Sequence, residues 1–319
     1  MTDPAALRPA LPSPLTEAAD ERFARHGVRL LLKRDDLIHP ALPGNKWRKL
    51  APNLTAAAGR PVLTFGGAYS NHLRAVAAAG RLLGFSTTGV VRGDELAGRP
   101  LNPSLARCAA DGMRLLFVDR ATYRAKDDPA VLAELLGQAP EGSTVVPEGG
   151  SNALAARGCA ELGRELRGRA DVVAVACGTG GTLAGLAAGL GPGQRALGVP
   201  VLRGGFLGGE VRALQRAAFG GPAGVWSLDE RFHHGGYGRT TPALHAFADD
   251  FAARHGLPVE RLYVAKMLYG LTVLADEGAF PAGSTVAAVV TGSPGPGDPG
   301  GPRDPGAEPP DQAAPPASR

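Results

Sequence analysis

Short runs of β-branched and other apolar residues alternate along the chain with longer segments rich in Ala and Leu. The short runs predict strands at residues 28–33, 61–65, 87–91, 114–118, 144–146, 172–176, 195–199 and 285–290. The longer segments predict helices at residues 46–58, 71–83, 102–111, 129–136, 152–166, 183–190, 210–218, 242–255 and 266–276. Because strands and helices alternate, we expect an α/β fold in which parallel sheets carry helices on both faces.

The apolar pattern stops near the C-terminus. Residues 294–319 contain nine Pro and five Gly in 26 residues and show no apolar periodicity. Such a segment cannot bury enough surface to offset the entropy of ordering it. We therefore predict that residues 293–319 form a disordered tail that the folded part does not need.

The length of 319 residues allows two modest α/β domains or one large one, and the hydrophobic fraction of 44% is enough for a substantial core. The net charge of +4 is too dilute for a nucleic-acid binder. No apolar run approaches the length of a membrane span, and the N-terminus does not resemble a secretory signal. The three cysteines are widely spaced without a C-x-x-C pair, so we expect no disulfide framework, no metal site and a cytoplasmic location.

A helix start with two lysines is the first candidate for chemistry. In the segment from Gly44 to Leu50, Asn45 is a suitable N-cap, which places Lys46 in the first turn and Lys49 on roughly the same face. The positive end of the helix dipole disfavours a protonated Lys46 and thus favours a neutral amine nucleophile. One lysine could bond to a cofactor while the other contacts its phosphate. The alternative is a solvated basic helix start.

Two glycine-rich segments each follow a predicted strand and open a helix. In the segment from Phe65 to His72, Ser70 would cap the helix and leave N–H groups free for a carboxylate, although an ordinary glycine turn is the better interpretation of this segment alone. In the segment from Cys177 to Gly185, small residues and threonines favour phosphate binding over a plain turn. This second loop lacks the Lys-Ser/Thr ending of a Walker loop, which disfavours nucleoside triphosphate hydrolysis.

Other segments carry weaker signals. The loop from His233 to Gly238 could be a flexible segment near a site, but it lacks the ligand spacing of a zinc centre. We expect Trp47 to be a packing residue and Cys177 to be an inert thiol at the end of an apolar strand.

Several motifs occur together and in the order found in one enzyme family. They are Lys33-Arg34-Asp35-Asp36-Leu37, Gly44-Asn45-Lys46, Ser70-Asn71-His72, Pro147-Glu148-Gly149-Gly150-Ser151-Asn152-Ala153, the loop from Gly178 to Thr182, and Tyr263 with Lys266-Met267-Leu268-Tyr269-Gly270-Leu271. From about residue 31 to residue 291, the chain resembles the 1-aminocyclopropane-1-carboxylate (ACC) deaminase/D-cysteine desulfhydrase family of enzymes that use pyridoxal 5'-phosphate (PLP). The resemblance implies the two-domain fold of the tryptophan synthase β type.

The resemblance also implies which residues form the site. Lys46 matches the lysine that holds PLP as a Schiff base, and Ser70 and Tyr263 match further catalytic residues. The other cofactor contacts match Lys49, Asn71, Gly178, Thr179, Gly180, Gly181, Thr182 and Thr291. The pocket for the substrate carboxylate matches Ser70, Asn71 and His72.

The implied architecture places the cofactor in a cleft between two domains. Residues 1–48 and 151–292 would form a large PLP-binding domain, and residues 49–150 a small domain. Family members are commonly homodimers, and we expect the same here. The chain departs from the family at Val264, where Thr or Glu usually lies beside the pyridine nitrogen, and near Thr291, which could contact that nitrogen instead.

We therefore predict a PLP-dependent lyase that releases an α-keto acid and ammonia from a small amino acid, together with sulfide if the substrate is D-cysteine. ACC deaminase activity and serine/threonine dehydratase or racemase activity are the enzymatic alternatives. A PLP-binding protein with weakened catalysis is the alternative from another class. The apolar Val264 favours β-elimination from a D-configured amino acid, because opening the cyclopropane ring demands a stronger electron sink.

Overall fold

The computed structural model describes residues 3–42 and 44–294, which form two sheets flanked by helices. The strands are β1 (Leu15–Ala18), β2 (Arg29–Lys33), β3 (Val62–Gly66), β4 (Thr87–Arg92), β5 (Arg114–Val118), β6 (Thr144–Val146), β7 (Val172–Cys177), β8 (Arg195–Pro200), β9 (Trp226–Leu228) and β10 (Thr285–Val289). The helices are α1 (Glu21–Ala24), α2 (Asn45–Ala57), α3 (Asn71–Leu83), α4 (Pro103–Ala110), α5 (Arg120–Arg124), α6 (Pro129–Gly137), α7 (Ala153–Glu165), α8 (Gly181–Gly189), α9 (Leu207–Phe219), α10 (Pro242–His255) and α11 (Val264–Asp276).

Every predicted strand and helix is present, with bounds that differ by a few residues at most. The sequence pattern missed β1, β9, α1 and α5. The two helices are too short to show a helical period, which needs a window of about 11 residues or more. The two strands, with the sequences LTEA and WSL, lack a run of β-branched residues.

The larger sheet has the strand order β1-β2-β10-β7-β8-β9, and the smaller sheet has the order β5-β4-β3-β6. The smaller sheet is parallel throughout, whereas the larger sheet departs from the prediction at its edge, where β1 runs antiparallel to β2. The strands of the smaller sheet fall within residues 49–150, and those of the larger sheet lie before and after this stretch. The two-domain boundaries themselves stay a prediction.

The larger sheet is covered on both faces, which explains the continuous apolar runs in its strands. Along β7, Val172 and Ala174 belong to the core on one face, and Val173 and Val175 belong to the core on the other. Because side chains alternate along a strand, only a strand buried on both faces needs apolar residues at every position.

Helix α2 begins differently from the prediction. Its N-cap is Gly44, with a φ of 66°, and a Cβ at this position would lie 1.5 Å from the carbonyl oxygen of Thr291, so only glycine fits. Asn45 is the first helical residue, and its Nδ2 donates to Thr182 Oγ1 at 3.0 Å. The side chain of Asn45 therefore links two helices and does not cap its own.

Within the described ranges, no helix is both long enough and apolar enough to cross a membrane. No group of three or more His, Cys, Asp or Glu side chains in this part of the chain could hold a metal ion. The predicted tail, residues 293–319, lies outside the described residues except for Ser293 and Pro294. Its expected dispensability stays a prediction.

Candidate active site

A cavity of about 840 Å³ lies between the two sheets. Its wall includes residues just beyond the ends of strands of both sheets, among them Gly67 directly after β3, Gly178 directly after β7 and Thr291 two residues after β10. The carboxyl ends of parallel strands are where α/β proteins bind ligands. This cavity is therefore the candidate site.

Lys46 lines the cavity from the first turn of α2. Its side chain makes no hydrogen bond or ion pair with any of the described residues. Burial and the nearby ammonium group of Lys49 lower the pKa of Lys46 to about 7. The sequence attributed this effect to the helix dipole, but the structure assigns it mainly to burial. Near neutral pH, a large fraction of Lys46 is a free amine.

Lys49 lies one turn further along α2 and is buried behind the cavity wall. Its Nζ donates to the carbonyl oxygen of Gly149 at 3.0 Å, to Ser151 Oγ at 2.7 Å and to Thr179 Oγ1 at 3.3 Å. All three acceptors are neutral, and no carboxylate of the described residues forms an ion pair with Lys49. Burial accordingly lowers its pKa. A bound anion would supply the missing negative charge.

The glycine loop between β7 and α8 passes close to these lysine contacts. Gly178 and Thr179 line the cavity. A Cβ on Gly181 would lie 2.7 Å from Ser151 Oγ, and Gly180 has a φ of 79°, so both positions need glycine. Thr182 is turned toward Asn45 of α2. The backbone N–H groups at the start of α8 are thus close to Lys49, in an arrangement suited to a phosphate.

The N-terminus of α3 forms another part of the wall. Ser70 is its N-cap, as predicted, and Ser70 Oγ accepts the N–H of Leu73 at 3.3 Å. Asn71 lines the cavity, and its Oδ1 accepts a hydrogen bond from Arg74. The remaining N–H groups of this first turn can bind an anion such as a carboxylate.

His72 also lines the cavity, but its imidazole carries no charge. Its Nε2 lies 2.7 Å from Thr64 Oγ1, which itself donates to the carbonyl oxygen of Val146 at 2.7 Å, so Nε2 is the donor in this pair. Burial, with Lys46 and Lys49 nearby, lowers the pKa of His72 well below its usual value. A carboxylate at this end of the cavity would be held by backbone N–H groups and by Ser70, without an imidazolium.

Tyr263 lies at the start of α11 and faces the cavity. A Cβ on Gly178 would lie 3.4 Å from its ring, so the glycine lets the loop pass directly beside Tyr263. The ring of Tyr237 packs edge-to-face against Tyr263, with 6.1 Å between centroids. Burial, with Tyr237 adding to it, raises the pKa of Tyr263 well above its usual value. Tyr263 is therefore a protonated phenol that can donate a hydrogen bond.

Tyr237 is a residue that the sequence did not single out. It lies on the cavity wall in the glycine-rich loop that begins at His233. The loop is held by Lys266, whose Nζ donates to the carbonyl oxygens of His233 at 2.8 Å and Gly236 at 2.9 Å. The glycines of this loop were the only signal in the sequence that pointed toward it.

Glu260 is a second residue that the sequence missed. It lines the cavity, although it is 5% exposed, and its carboxylate accepts the backbone N–H of Leu262 at 2.6 Å and of Tyr263 at 2.8 Å. Val264 is fully buried in the core and does not line the cavity. Among the polar side chains on this wall, Glu260 is therefore the one closest to Tyr263 along the chain, three residues before it.

The structure brings all predicted site residues to one place. Those that line the cavity are Lys46, Ser70, Asn71, His72, Gly178, Thr179, Tyr263 and Thr291. Those that lie behind the wall are Lys49, Gly180, Gly181 and Thr182.

Residues 8–292 match the profile of a protein family described as pyridoxal-phosphate dependent enzyme. The chain belongs to this family. Among these PLP-dependent enzymes, a relative from Pyrococcus furiosus, provisionally named as an ACC deaminase, is 30% identical over 278 residues, which are 79% of this chain and 81% of the relative. The D-cysteine desulfhydrase of Yersinia pestis (strain Pestoides F) is 35% identical over 184 residues, which are 51% of this chain and 53% of that protein.

Solved structures agree with this family. The crystal structure of an ACC deaminase homologue matches with a TM-score of 0.74 and 26% identity, over 92% of this chain and 95% of that chain. The comparisons confirm the predicted family, its PLP cofactor and the fold class. The protein is thus a PLP-dependent enzyme related to ACC deaminases and D-cysteine desulfhydrases.

The cavity of this PLP-dependent enzyme fits the cofactor on its own structural evidence. An amine of lowered pKa is available at Lys46, and Lys49 is a buried cation that lacks an anion. The glycines at 180 and 181 leave the start of α8 uncovered beside it. A PLP phosphate near Lys49 and a PLP aldehyde near Lys46 would match both groups. The roles of individual residues stay predictions.

Proposed function

We propose that this enzyme is a β-eliminating lyase that converts a small D-amino acid, with D-cysteine as the expected substrate, into an α-keto acid and ammonia. The observation that carries the proposal is the shared cavity of Lys46, Tyr263 and the N-terminus of α3. Such a cavity offers a base, a proton donor and a carboxylate site around one small substrate.

Lys46 and the start of α3 would act on the α-carbon and its carboxylate. The first-turn N–H groups of α3 and the Ser70 hydroxyl would hold the substrate carboxylate, which fixes the α-proton relative to Lys46. The Lys46 amine would accept this proton, since its pKa of about 7 suits a general base near neutral pH. The bound cofactor supplies an electron sink for the negative charge that develops at the α-carbon.

Tyr263 would act on the leaving group. Its phenol stays protonated because burial raises its pKa, so it can donate a hydrogen bond or a proton to a departing thiolate or hydroxide. The Glu260 carboxylate, through the backbone N–H of Tyr263, and the Tyr237 ring would fix its position.

The remaining predicted residues would hold the cofactor. Lys49 and the loop formed by Gly178, Thr179, Gly180, Gly181 and Thr182 would bind its phosphate. Asn71 would contact the ring hydroxyl through its NH2 group, since Arg74 occupies its Oδ1. Thr291 would face the ring nitrogen from the end of β10.

The pH dependence of cofactor loading tests the assignment of Lys46. Only the neutral amine attacks the PLP aldehyde, and burial lowers the pKa of Lys46 to about 7. We expect the rate of cofactor binding to the apoenzyme to rise with pH and to level off above a midpoint near 7. Stopped-flow absorbance measures this rate, with N-acetyl-lysine under the same conditions as the control for an ordinary amine. A midpoint equal to that of the control would refute the assignment.

The choice of β-elimination over ring opening rests on the wall near Tyr263. Val264 is fully buried in the core and offers nothing polar to the cofactor ring. The oxygens of Glu260 already accept two backbone N–H groups. Val264 therefore cannot strengthen the electron sink in the way that the ring opening of ACC requires, whereas β-elimination has an acidic α-proton and a good leaving group.

A substrate panel tests the proposed reaction. We expect keto acid from D-cysteine at a kcat/KM at least about tenfold above those for L-cysteine, D-serine and ACC, measured with lactate dehydrogenase and by sulfide release. Release of 2-oxobutanoate from ACC alone would contradict the argument from Val264. Turnover of L-serine or L-threonine alone would favour the dehydratase alternative. A yellow protein that turns over no member of the panel would favour the inactive PLP-binding alternative.

We further propose that the enzyme is a cytoplasmic homodimer with PLP bound between a large domain of residues 1–48 and 151–292 and a small domain of residues 49–150. Three free, buried cysteines support a reducing compartment. The division of strands between the two sheets supports the domains. Light scattering of the purified enzyme would distinguish a dimer from a monomer.

A further inference from the structure

Lys266 is a fully buried lysine of α11 to which the proposed reaction gives no role. Its Nζ donates to the carbonyl oxygens of His233 at 2.8 Å and Gly236 at 2.9 Å. The His233 carbonyl also accepts the backbone N–H of Gly236 at 3.0 Å, and the Gly236 carbonyl accepts that of Arg239 at 3.2 Å. One ammonium group therefore holds two consecutive turns, and Tyr237 lies inside the second.

The loop that contains these turns needs support from outside. His234 has a φ of 49°, which a residue with a side chain adopts only at a cost in free energy. Its buried Nε2 has no hydrogen-bond partner among the described residues. Three of the next four residues are glycines with positive φ, which add little stiffness. Because backbone strain persists only where surrounding contacts impose it, the rest of the protein must supply those contacts.

Helix α11 packs directly on the loop. The ring of Tyr269 contacts that of His234 edge-to-face, with 4.9 Å between centroids. A Cβ on Gly270 would lie 2.6 Å from the ring of Phe232, so the helix touches the base of the loop. Lys266 lies one turn before Gly270 on the same face of α11. Of these three contacts, that of Lys266 is the one that bonds the loop backbone and carries a charge.

The loop brings Tyr237 to the active site. Tyr237 lines the cavity, and its ring packs against Tyr263, which is the N-cap of α11. Helix α11 thus fixes both tyrosines, Tyr263 directly and Tyr237 through Lys266 and the loop. A shift of the loop would move Tyr237 away from Tyr263, the proposed proton donor, and would leave Lys46 in place.

We propose that Lys266 is a positioning residue: by holding residues 233–239 on α11, it fixes Tyr237 against Tyr263 and so sets the geometry of proton donation to the leaving group. This inference rests on the proposed β-elimination for its catalytic part. The hold of Lys266 on the loop does not depend on any reaction, so the two parts can be tested separately.

Limited proteolysis of the PLP-loaded enzyme tests the hold on the loop. Arg239 is exposed at the end of the second turn, so trypsin can cleave after it when the loop opens. The cleavage rate follows the population of the open form. We expect Lys266→Met to raise this rate at least about tenfold. No rise in this variant would overturn the proposal.

Lys33→Met is the matched control, because Lys33 is also a buried lysine. Its Nζ lies 2.6 Å from Glu165 and donates to the carbonyl oxygen of Ser13 at 2.6 Å, away from this loop. This variant should lower the stability of the protein without faster cleavage after Arg239. An equal rise in both variants would show a general loss of stability and would overturn the proposal.

Hydrogen exchange keeps the proposal testable if Lys266→Met does not fold. In the unmodified enzyme, the amides of Gly236 and Arg239 bond to the two carbonyls that Lys266 holds. We expect both amides to exchange at least about 100-fold more slowly than in an unstructured peptide. Exchange at the rate of an unstructured peptide would show that the loop is not held, and would overturn the proposal.

A double-mutant cycle tests the action through Tyr237. We expect Lys266→Met to lower kcat for the fastest substrate of the panel at least about tenfold, with PLP affinity unchanged, because small misplacements at an active site are costly. In a Tyr237→Ala background, the same substitution should lower kcat less than about twofold, since the contact that it supports is already gone. Equal effects in both backgrounds would show a purely structural role and would overturn the inference. If no member of the panel is turned over, the proposed function fails, and proteolysis still decides whether Lys266 holds the loop.

Discussion

Lys46→Ala is expected to abolish the absorbance of the lysine-bound cofactor and to reduce keto-acid release by at least about 10³-fold. The substitution removes the amine that bonds to PLP and the base that accepts the α-proton. Neither Lys266 nor Lys33 can take its place, because Lys266 donates to two backbone carbonyls and Lys33 lies 2.6 Å from Glu165. Absorbance spectra and single-turnover assays measure both effects.

Lys49→Ala is the matched control, since Lys49 lies on the same helix one turn away. It should weaken PLP binding by about tenfold or more, because it removes a charge-assisted phosphate contact. At saturating PLP, it should still show the absorbance of the lysine-bound cofactor. Borohydride reduction followed by peptide mapping gives the decisive assignment for the unmodified enzyme. A labelled peptide that contains Lys33 or Lys266 in place of Lys46 would refute it.

Arg48→Met is expected to lower the free energy of unfolding by about 3–5 kcal/mol, the usual cost of removing one member of a buried ion pair. Arg48 is 3% exposed, and its guanidinium contacts the Asp35 carboxylate at 2.8 Å and Glu165 at 2.9 Å. Asp35 has no exposed surface, so its charge would lose its main partner without gaining water. Urea denaturation of the apoenzyme, followed by circular dichroism, measures the loss.

Arg254→Met provides the control for this buried network. Arg254 forms an ion pair with Asp250 at 2.8 Å, but both side chains are about half exposed, so we expect its loss to lower the free energy of unfolding far less than Arg48→Met does. Similar losses for the two variants would contradict the importance of burial.

Acidification should destabilise the same network in part. Burial alone raises the pKa of Glu165, but Arg48 and Lys33 hold this pKa below its usual value. The ion pairs of Glu165 therefore stabilise the fold at neutral pH, and this stabilisation is lost as the pH falls through the pKa of Glu165 in the folded protein.

The hydrophobic pattern predicted the long elements of the fold because their burial is periodic. The strand β7 reads as an uninterrupted apolar run, and α3 follows its N-cap Ser70 at the predicted residue. Local chemistry determines such features, so they can be inferred from neighbouring residues. The order of strands in the larger sheet could not be inferred from neighbouring residues, because β10 pairs with β2 and β7, which lie far from it in the chain.

Long-range contacts also explain what the sequence could not predict at the site. Asn45 looks like an N-cap, but Gly44 takes that position, where the close backbone of Thr291 leaves no room for a side chain, and Asn45 instead bonds to Thr182. Glu260 has no motif of its own, and its place on the wall depends on contacts such as those with the start of α11. The residues of the site were recognisable from their motifs, whereas their partners depend on the folded chain.

The position of β10 between β2 and β7 has a consequence for folding during synthesis on the ribosome. The smaller sheet can close as soon as β6 has emerged, because all four of its strands lie in one continuous stretch. The larger sheet stays divided until β10 has been synthesised, near the end of the chain. Until that moment, β2 and β7 each expose an unpaired edge to other nascent chains. Synthesis halted before residue 285 would therefore yield a polypeptide with one finished half and one half prone to aggregate.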